Sequence, residues 1–277
     1  MGKFSGILLC SDLDDTLLTT DKQVSQENRE AIEYFKQEGG LFTFATGRSV
    51  TGIQWPLEMI SPNAPVICFN GSGIYDAAAG KMVWETYLDD NAIKVVEFIE
   101  NTYPFAGIEV CVNDKIYFCK SNRIVSQHQQ DERLPVNEKD YHNILEPWKK
   151  VVFLQEEDEL PILKNGLLTS YFTRHYDFMQ SSRHFYEMLP KGASKGAALM
   201  ILADYLGINR RRTIGIGDNE NDITLVRNAG VGVAVANAIP QLLDAADFIS
   251  TDNNANAVAS IIYGLEQGLV SFSDETK

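Results

Sequence analysis

The chain has 277 residues, of which 44% are hydrophobic, and it carries a net charge of −14 at neutral pH. This length and composition favour one or two globular domains over a disordered or collagen-like chain. The negative charge argues against nucleic acid or an anionic membrane as a partner, because both bind through clustered Lys and Arg. No apolar window reaches the roughly 18 residues that span a bilayer, and no signal peptide precedes the first strand, so we expect a cytoplasmic protein.

The first predicted strand ends in carboxylates. An apolar run over residues 7–10 is followed closely by Asp12, Asp14 and Asp15. Such a run is typical of a central parallel strand, and open α/β sheets bind ligands at the carboxyl ends of these strands. An Asp-rich strand end also serves as an ordinary turn or helix cap. If the chain stays extended, however, Asp12 and Asp14 point the same way, and their like charges call for a metal ion or a shared proton.

A second strand follows after one helix. Ser25 begins a helical pattern that Gly39-Gly40 stops, and the apolar run 41–45 then ends in Thr46-Gly47-Arg48. A strand, a helix and a second strand form a right-handed unit with parallel strands, whose carboxyl ends lie on the same edge of the sheet. The sequence therefore predicts that Thr46 lies beside Asp12.

The third predicted strand, residues 64–69, leads into a turn and a hairpin. The turn Asn70-Gly71-Ser72-Gly73 lacks the GxGxxG order of nucleotide-binding loops. We therefore favour a turn-forming role over a phosphate cradle. Asn70 is kept as a candidate substrate-binding residue at the rim of the site.

The alternation of helices with parallel strands stops between residues 86 and 187. A helix at 91–103 is followed by two alternating runs, a polar stretch up to Pro147, and further short helix and strand patterns. This pattern predicts an antiparallel α+β cap domain at 86–187, inserted into a catalytic core formed by 1–85 and 188–277. The four cysteines, Cys10, Cys68, Cys111 and Cys119, form no CxxC pair and lie in apolar runs, so we expect buried free thiols. The four histidines lack metal-ligand spacing, so we expect packed or exposed imidazoles.

Parallel strands return after the cap. Ser194 caps a helix that begins with Lys195, and a strand at 213–217 ends in Gly-Asp-Asn-Glu-Asn-Asp at 217–222. Two further strands and a helix complete the pattern. The predicted fold class is therefore α/β, with a Rossmann-like parallel-sheet core and an inserted cap.

The residues at these strand ends suit phosphoryl transfer. Mg²⁺ prefers oxygen ligands, for which Asp12 and Asp218 are natural candidates. A carboxylate can also attack phosphorus to give an aspartyl-phosphate, and Thr46 and Lys195 can then hold the equatorial phosphate oxygens. Asp14 is placed to protonate the leaving alcohol and later to draw a proton from water.

Four segments together resemble the motifs of the haloacid dehalogenase superfamily, most of whose members are phosphohydrolases. They are Asp-Leu-Asp-Asp-Thr at 12–16, Thr46 in Thr-Gly-Arg, Lys195, and the acidic segment at 217–222. The long insertion before Lys195 and the Thr-Gly-Arg context resemble the Cof-type group with a type IIB cap, which contains many sugar-phosphate phosphatases.

This resemblance implies a role for each matching residue. Asp12 is implied as the nucleophile, and Asp14 as the acid/base and a metal ligand through its main-chain carbonyl. The implied metal site is completed by Asp218 as a ligand and Asp222 as a support for the metal shell. The implied phosphate-binding residues are Thr46, Gly47, Lys195 and Asn221.

Two alternatives stay open, and a third position departs from the family pattern. Lys191 is a rival to Lys195 as the phosphate-binding lysine, although the Lys-Gly-Ala-Ala-Leu context of Lys195 matches the family better. Arg48 either binds substrate or pairs with a nearby acid. Asp15 stands where many relatives have glycine.

The sequence thus predicts a Mg²⁺-dependent phosphatase that hydrolyses a small phosphorylated metabolite, with a sugar phosphate as the expected class. A phosphosugar mutase shares the first chemical step and is the main alternative. A receiver-type signalling protein also combines Asp, Thr, Lys and Mg²⁺, but Asp14 promotes hydrolysis and a large cap has no purpose in a receiver.

Overall fold

The structure is a computed structural model that describes residues 2–272. Within this range the chain forms two compact units. The first unit contains the residues up to Thr46, then Trp55–Trp84 and the residues from Ser194 onward. The second contains Gly47–Gln54 and Glu85–Ala193. Among residues 2–272, no helix combines the length and apolar character needed to cross a bilayer.

Strands and helices alternate along most of the chain. In chain order the strands are β1 (Leu8–Ser11), β2 (Leu41–Phe44), β3 (Val66–Cys68), β4 (Gly73–Asp76), β5 (Lys81–Glu85), β6 (Gly107–Cys111), β7 (Ile116–Lys120), β8 (Lys150–Leu154), β9 (Tyr176–Ser182), β10 (Phe185–Pro190), β11 (Thr213–Gly217), β12 (Val231–Ala234) and β13 (Phe248–Ile249). The helices are α1 (Gln26–Gln37), α2 (Gln54–Met59), α3 (Ala92–Thr102), α4 (Arg123–Asp131), α5 (Leu160–Leu168), α6 (Lys195–Leu206), α7 (Ile223–Asn228), α8 (Pro240–Leu243) and α9 (Ala257–Glu266).

The first unit is built on a five-stranded parallel sheet in the order β13-β12-β11-β1-β2. β1 pairs in parallel with β2 on one side and with β11 on the other. All four residues of β1 are buried, as expected for a central strand covered on both faces. A three-stranded sheet formed by β3, β4 and β5 contains the predicted hairpin. The predicted α/β class is therefore confirmed.

Helix α1 is the predicted crossover between β1 and β2. The Ser25 hydroxyl accepts a hydrogen bond from the backbone N–H of Asn28 at 3.2 Å, which satisfies a donor at the start of the helix. Ala31, Ile32 and Phe35 lie on one face at helical spacing and are fully buried. Burial of this face holds the helix in place, and the helix carries the chain back to the start of a parallel neighbour.

The second unit contains an antiparallel sheet in the order β7-β6-β8-β10-β9. Apolar residues of this sheet pack with those of α3 and α5 in one buried cluster. Glu109 and Glu187 lie opposite Val152 on the strands that flank β8, and both are buried. The sheet therefore contains buried charge as well as a hydrophobic core.

Helix α4 lies in a stretch for which the sequence predicts only a polar connection, so that prediction was incomplete. Asn122 caps the helix by accepting a hydrogen bond from the backbone N–H of Val125 at 2.9 Å. Ile124 and Val125 are buried, whereas most of the remaining side chains are polar. Two adjacent apolar residues give too little periodicity for a helix to be recognised from the sequence.

The predicted domain boundaries stay a prediction. The compact units agree in kind with a core and an insertion, but Gly47–Gln54 groups with the second unit although it lies within 1–85. All four cysteines are free, and Cys10, Cys68 and Cys111 are buried as predicted. The prediction of a buried thiol was wrong for Cys119, which is partly exposed because it lies toward the end of β7, where the strand is only partly buried.

Candidate active site

Three carboxylates converge at the carboxyl edge of the parallel sheet in the first unit. Asp12 follows β1, and Asp218 and Asp222 follow its neighbour β11. One carboxylate oxygen from each residue lies within 4.8 Å of the others. The backbone N–H of Asp12 donates to the carbonyl of Ile216 at 2.8 Å, which continues the pairing of β1 with β11 past the end of β1. Parallel strands thus bring together acids that are more than 200 residues apart.

Lys195 is the basic group of this cluster. It is the first residue of α6, which Ser194 caps by accepting a hydrogen bond from the backbone N–H of Ala197. The Lys195 side chain is fully buried, and its Nζ donates to one oxygen of Asp12 and one of Asp222, each at 2.6 Å. Burial opposes its charge, but Asp12 and Asp222 together raise the pKa of Lys195 above its usual value. The lysine is therefore held as a buried ammonium.

The cluster has more negative than positive charge. Burial, followed by the charge of Asp222, raises the pKa of Asp12 well above its usual value. The same two causes raise the pKa of Asp218 to about 7. Three carboxylates face one ammonium, so full ionisation leaves an excess that a divalent cation would neutralise. The oxygen donors of Asp12 and Asp218 thus fit a hard divalent cation.

Asp222 has a different set of contacts from the other two acids. One of its oxygens accepts from the backbone N–H groups of Asp218 at 3.1 Å and Asn219 at 3.2 Å. Its other oxygen accepts from Lys195. Asp222 therefore shapes the loop that carries Asp218 and orients the lysine.

The segment after Asp12 is a single wide turn. The backbone N–H of Leu18 donates to the carbonyl of Leu13 at 2.8 Å, and Asp15 adopts a left-handed conformation with φ of 55°. The turn aims the hydroxyl of Thr16 at Asp218, at 2.9 Å. Thr16 belongs to the Asp-x-Asp-x-Thr motif, but its contact with Asp218 was not predicted from the sequence.

Asp14 is not one of the three clustered acids. Its side chain is 34% exposed and forms an ion pair with Lys22 at 3.0 Å. Lys22 belongs to a polar stretch in which no sequence motif marks it. Partial exposure is compatible with proton exchange, which the predicted acid/base role of Asp14 requires.

Thr46, Asn70 and Asn221 form a second group of candidate residues in the first unit. Thr46 follows β2 and is 1% exposed, and its carbonyl accepts from the backbone N–H of Asn70 at 3.0 Å. The side-chain amide of Asn221 donates to Oδ1 of Asn70 at 3.0 Å. These contacts connect the end of β2 with the loop after β11.

Gly47 and Arg48 belong to the second unit. The carbonyl of Gly47 accepts from the buried ammonium of Lys150 at 2.8 Å, and Arg48 lies 3.4 Å from a carboxylate oxygen of Glu132. Pairing with a nearby acid is one of the two roles that the sequence left open for Arg48, and Glu132 is that acid. The predicted substrate role of Arg48 and phosphate role of Gly47 stay predictions.

The structure separates the two candidate lysines. Lys191 is about half exposed and pairs with Asp177 in the second unit at 2.6 Å. Lys195 instead lies among the acids of the first unit. Lys195, and not Lys191, therefore lies among these acids, and its phosphate-binding role stays a prediction.

Comparison with known proteins gives a family for the chain. The family model of haloacid dehalogenase-like hydrolases matches residues 9–262. The putative phosphatase YxeH of Bacillus subtilis is 31% identical over 272 residues, which cover 93% of this chain and 97% of that protein. The 5-amino-6-(5-phospho-D-ribitylamino)uracil phosphatase YwtE of the same organism is 29% identical, with 93% and 97% of the two chains covered.

Solved structures show the same fold. The sugar phosphatase BT4131, of haloacid dehalogenase subclass IIB, superposes with a TM-score of 0.82 over 95% of this chain and all of that chain, at 20% identity. The similarity therefore extends over the antiparallel insertion as well as the parallel core.

Proposed function

The chain belongs to the haloacid dehalogenase-like hydrolases, and we propose that it is a Mg²⁺-dependent sugar phosphatase that works through a phosphorylated Asp12. It is a phosphoric monoester hydrolase that acts on small phosphorylated metabolites. The observation that carries the finer proposal is the convergence of Asp12, Asp218 and Asp222 around the buried ammonium of Lys195.

In the first proposed step, a carboxylate oxygen of Asp12 attacks phosphorus and the bond to the alcohol oxygen breaks. Asp14 gives its proton to the leaving oxygen, so a neutral alcohol departs. In the second step Asp14 takes a proton from water, and the resulting hydroxide attacks the phosphorus of phosphorylated Asp12. Asp12 and inorganic phosphate are released, and Asp14 is protonated again.

The phosphoryl group needs fixed donors for its equatorial oxygens. We assign this role to Lys195, Thr46, Gly47 and Asn221. Lys195 contributes a full positive charge that burial makes more effective than an exposed ammonium. Asp222 keeps that ammonium in position, because the backbone donors of its own loop hold its carboxylate.

A divalent cation fits beside these residues. Asp12 and Asp218, with the main-chain carbonyl of Asp14, would hold it, and Asp222 would support that set. When bound, it would neutralise charge on the phosphoryl oxygens and balance the excess of carboxylates. We propose Mg²⁺ because all of these donors are oxygens.

The expected substrate class comes from the relatives. YwtE is named for a substrate whose phosphate is attached to a ribityl chain, and BT4131 is described as a sugar phosphatase. Both names support a phosphorylated sugar or a similar polyol as the substrate. Arg48 and Asn70 remain the proposed substrate-binding residues.

A cytoplasmic location is also proposed, supported by the free state of all four cysteines.

The proposal is tested by assaying phosphate release from 4-nitrophenyl phosphate and from a panel of sugar phosphates. We expect Mg²⁺-dependent turnover that EDTA removes, and a loss of at least about a thousandfold in Asp12→Asn, which has no nucleophile. Full activity of Asp12→Asn in the presence of EDTA would refute the mechanism. Conversion of a sugar phosphate into an isomer without phosphate release would favour the mutase instead.

A further inference from the structure

The turn Phe69–Gly71 contacts three separate parts of the proposed phosphate site. The backbone N–H of Asn70 donates to the carbonyl of Thr46, and Oδ1 of Asn70 accepts from the amide of Asn221. Gly71 packs against the backbone of Ser194 and Lys195, at the start of α6. One short turn is therefore in contact with three of the residues proposed to hold phosphate: Thr46, Lys195 and Asn221.

The contact with α6 requires glycine. A Cβ atom on Gly71 would lie 2.2 Å from the carbonyl oxygen of Ser194 and 2.9 Å from the backbone nitrogen of Lys195. Gly71 also has φ of +98°, a conformation that L side chains rarely adopt. The close approach therefore depends on the absence of a side chain at this position.

Asn70 itself has an unsatisfied donor. Its side chain is fully buried, and Asn221 is 7% exposed. Among the described residues 2–272, Nδ2 of Asn70 and Oδ1 of Asn221 belong to the buried polar atoms that have no hydrogen-bond partner. Buried polar groups are nearly always paired. What distinguishes this donor is its place, since Asn70 contacts two residues proposed to bind phosphate, Thr46 and Asn221.

The backbone of the turn supports the same interpretation. Phe69 and Asn70 both have φ of 54°, and Phe69 is a bulky residue for which positive φ is uncommon. Strain of this kind persists where the surrounding structure holds a functional group in place. Here the group held in place is the Asn70 amide.

We infer that Asn70 is a phosphate-binding residue, whose Nδ2 donates to an oxygen of the phosphoryl group while Oδ1 fixes the amide of Asn221. This inference rests on the proposed function and refines it, because it assigns Asn70 to the phosphoryl end of the substrate and not to its organic part. The turn also sets the position of Lys195 through Gly71.

The assignment predicts a specific kinetic pattern. A residue that binds the phosphoryl group affects every phosphate ester by the same factor, and it also affects inorganic phosphate. A residue that binds the organic part affects each substrate differently and leaves inorganic phosphate unchanged. The probe is therefore inorganic phosphate, used as a competitive inhibitor of 4-nitrophenyl phosphate hydrolysis with saturating Mg²⁺.

Two variants remove the donor in different ways. Asn70→Gly tolerates the positive φ and deletes the amide, and we expect Ki for inorganic phosphate and KM to rise about tenfold. Asn70→Asp keeps the size and the acceptor for Asn221 but replaces the donor with a charge that repels phosphate. We expect its Ki and KM to rise about a hundredfold.

Asn28 offers a matched control. It is also fully buried, its Oδ1 accepts from the backbone N–H of Ala259 at 2.9 Å, and its Nδ2 likewise has no partner within the described part of the chain. Asn28→Asp introduces the same buried charge in α1, outside the proposed site. We expect it to lower the thermal midpoint while leaving Ki for inorganic phosphate unchanged. Unchanged Ki in both Asn70 variants, or an equal change in Asn28→Asp, would overturn the inference.

A measurement on the unaltered chain tests the inference even if the variants fail to fold. It also separates failure of this inference from failure of the proposed function. Inorganic phosphate is titrated into ¹⁵N-labelled protein with Mg²⁺, and the side-chain NH₂ resonances of asparagine are followed. Saturable shifts of the Asn70 NH₂ group support the inference even if no phosphate ester is hydrolysed, in which case the proposed function alone fails. An Asn70 NH₂ group that does not respond to phosphate overturns the inference even in an active phosphatase.

Discussion

A single buried ammonium holds two carboxylates together at the edge of the parallel sheet. Lys195 contacts Asp12 and Asp222 at 2.6 Å each, and all three side chains are largely or fully buried. Removal of one member of such a group leaves the others as uncompensated buried charges, which costs more than the group itself contributes. Lys195 is therefore expected to matter for stability as well as for phosphate binding.

The substitution Lys195→Met tests this expectation. Met retains most of the apolar volume but leaves Asp12 and Asp222 without their cation. We expect the free energy of unfolding to fall by about 3–5 kcal/mol, and turnover of 4-nitrophenyl phosphate to fall at least about a hundredfold. Urea unfolding and steady-state kinetics measure the two effects.

Lys191→Met is the matched control. Its ammonium pairs with Asp177 at the same 2.6 Å but is 54% exposed, so solvent screens the pair. We expect a change within about 1 kcal/mol and unaltered turnover. Equal losses in the two variants would contradict the special role of Lys195.

Asp15 adopts a backbone conformation that residues with a side chain disfavour. Its φ of 55° is left-handed, and its side chain is 58% exposed. We expect Asp15→Gly to raise stability by about 0.5–1 kcal/mol, because glycine adopts this conformation without steric cost. Thermal unfolding monitored by circular dichroism measures the gain. Asp15→Ala removes the same charge but keeps Cβ, so a similar gain in that variant would show that charge, not conformation, is responsible.

The turn Phe69–Gly71 is a short element that packs directly against the start of α6. The close approach of Gly71 to Ser194 and Lys195 means that a methyl group there must displace the start of α6. We expect Gly71→Ala to lower stability by more than about 2 kcal/mol, and to reduce turnover because Lys195 moves with the helix. Thermal unfolding and the assay of phosphate release measure both effects.

Gly80→Ala separates conformational strain from steric contact. Gly80 also has a positive φ, of +65°, but an added Cβ would meet nothing within 4 Å. We expect a loss of about 1 kcal/mol with normal turnover. If Gly80→Ala were as damaging as Gly71→Ala, strain alone would explain the result and the contact with α6 would not.

Buried charge in the second unit predicts how the unfolding free energy of the whole chain depends on pH. His128 contacts both carboxylate oxygens of Glu109 at 3.0 Å and lies 3.4 Å from Glu132. Burial opposes its charge, but Glu109 and Glu132 raise the pKa of His128 from 6.5 to about 10. Since the folded state binds this proton more tightly than the unfolded state, the stabilisation is complete below about pH 6.5 and is lost as pH rises to about 10.

We therefore expect the unfolding free energy of the unaltered chain to fall by a few kcal/mol between about pH 6.5 and pH 10. The size of this fall follows from the difference between the pKa of His128 in the folded and unfolded states. In His128→Gln this part of the decline should disappear. Urea unfolding at a series of pH values measures the difference between the two profiles. His175→Gln, which alters another histidine of the same unit, should keep the profile of the unaltered chain; its loss there would contradict the assignment.

Much of the fold follows from the sequence because its signals are local. Apolar runs, glycine stops and the Ser25 and Ser194 caps place strands and helices of the parallel core where the structure has them. Helix α4 was missed because only two of its residues are buried and apolar. Local pattern fails where an element is held by tertiary contacts and not by its own periodicity.

The positions of the candidate residues at the carboxyl ends of the strands follow from the sequence alone. Strand periodicity and parallel connection place Asp12, Thr46 and Asp218 on one edge of the sheet. The direct contacts between side chains at that edge, by contrast, emerge only from the folded structure. Asn221 and Asn70 are 151 residues apart in the chain, and Lys195 and Asp12 are 183 apart. Such pairs leave no local signal, because each contact depends on the packing of whole helices and turns against the sheet and not on the residues beside it.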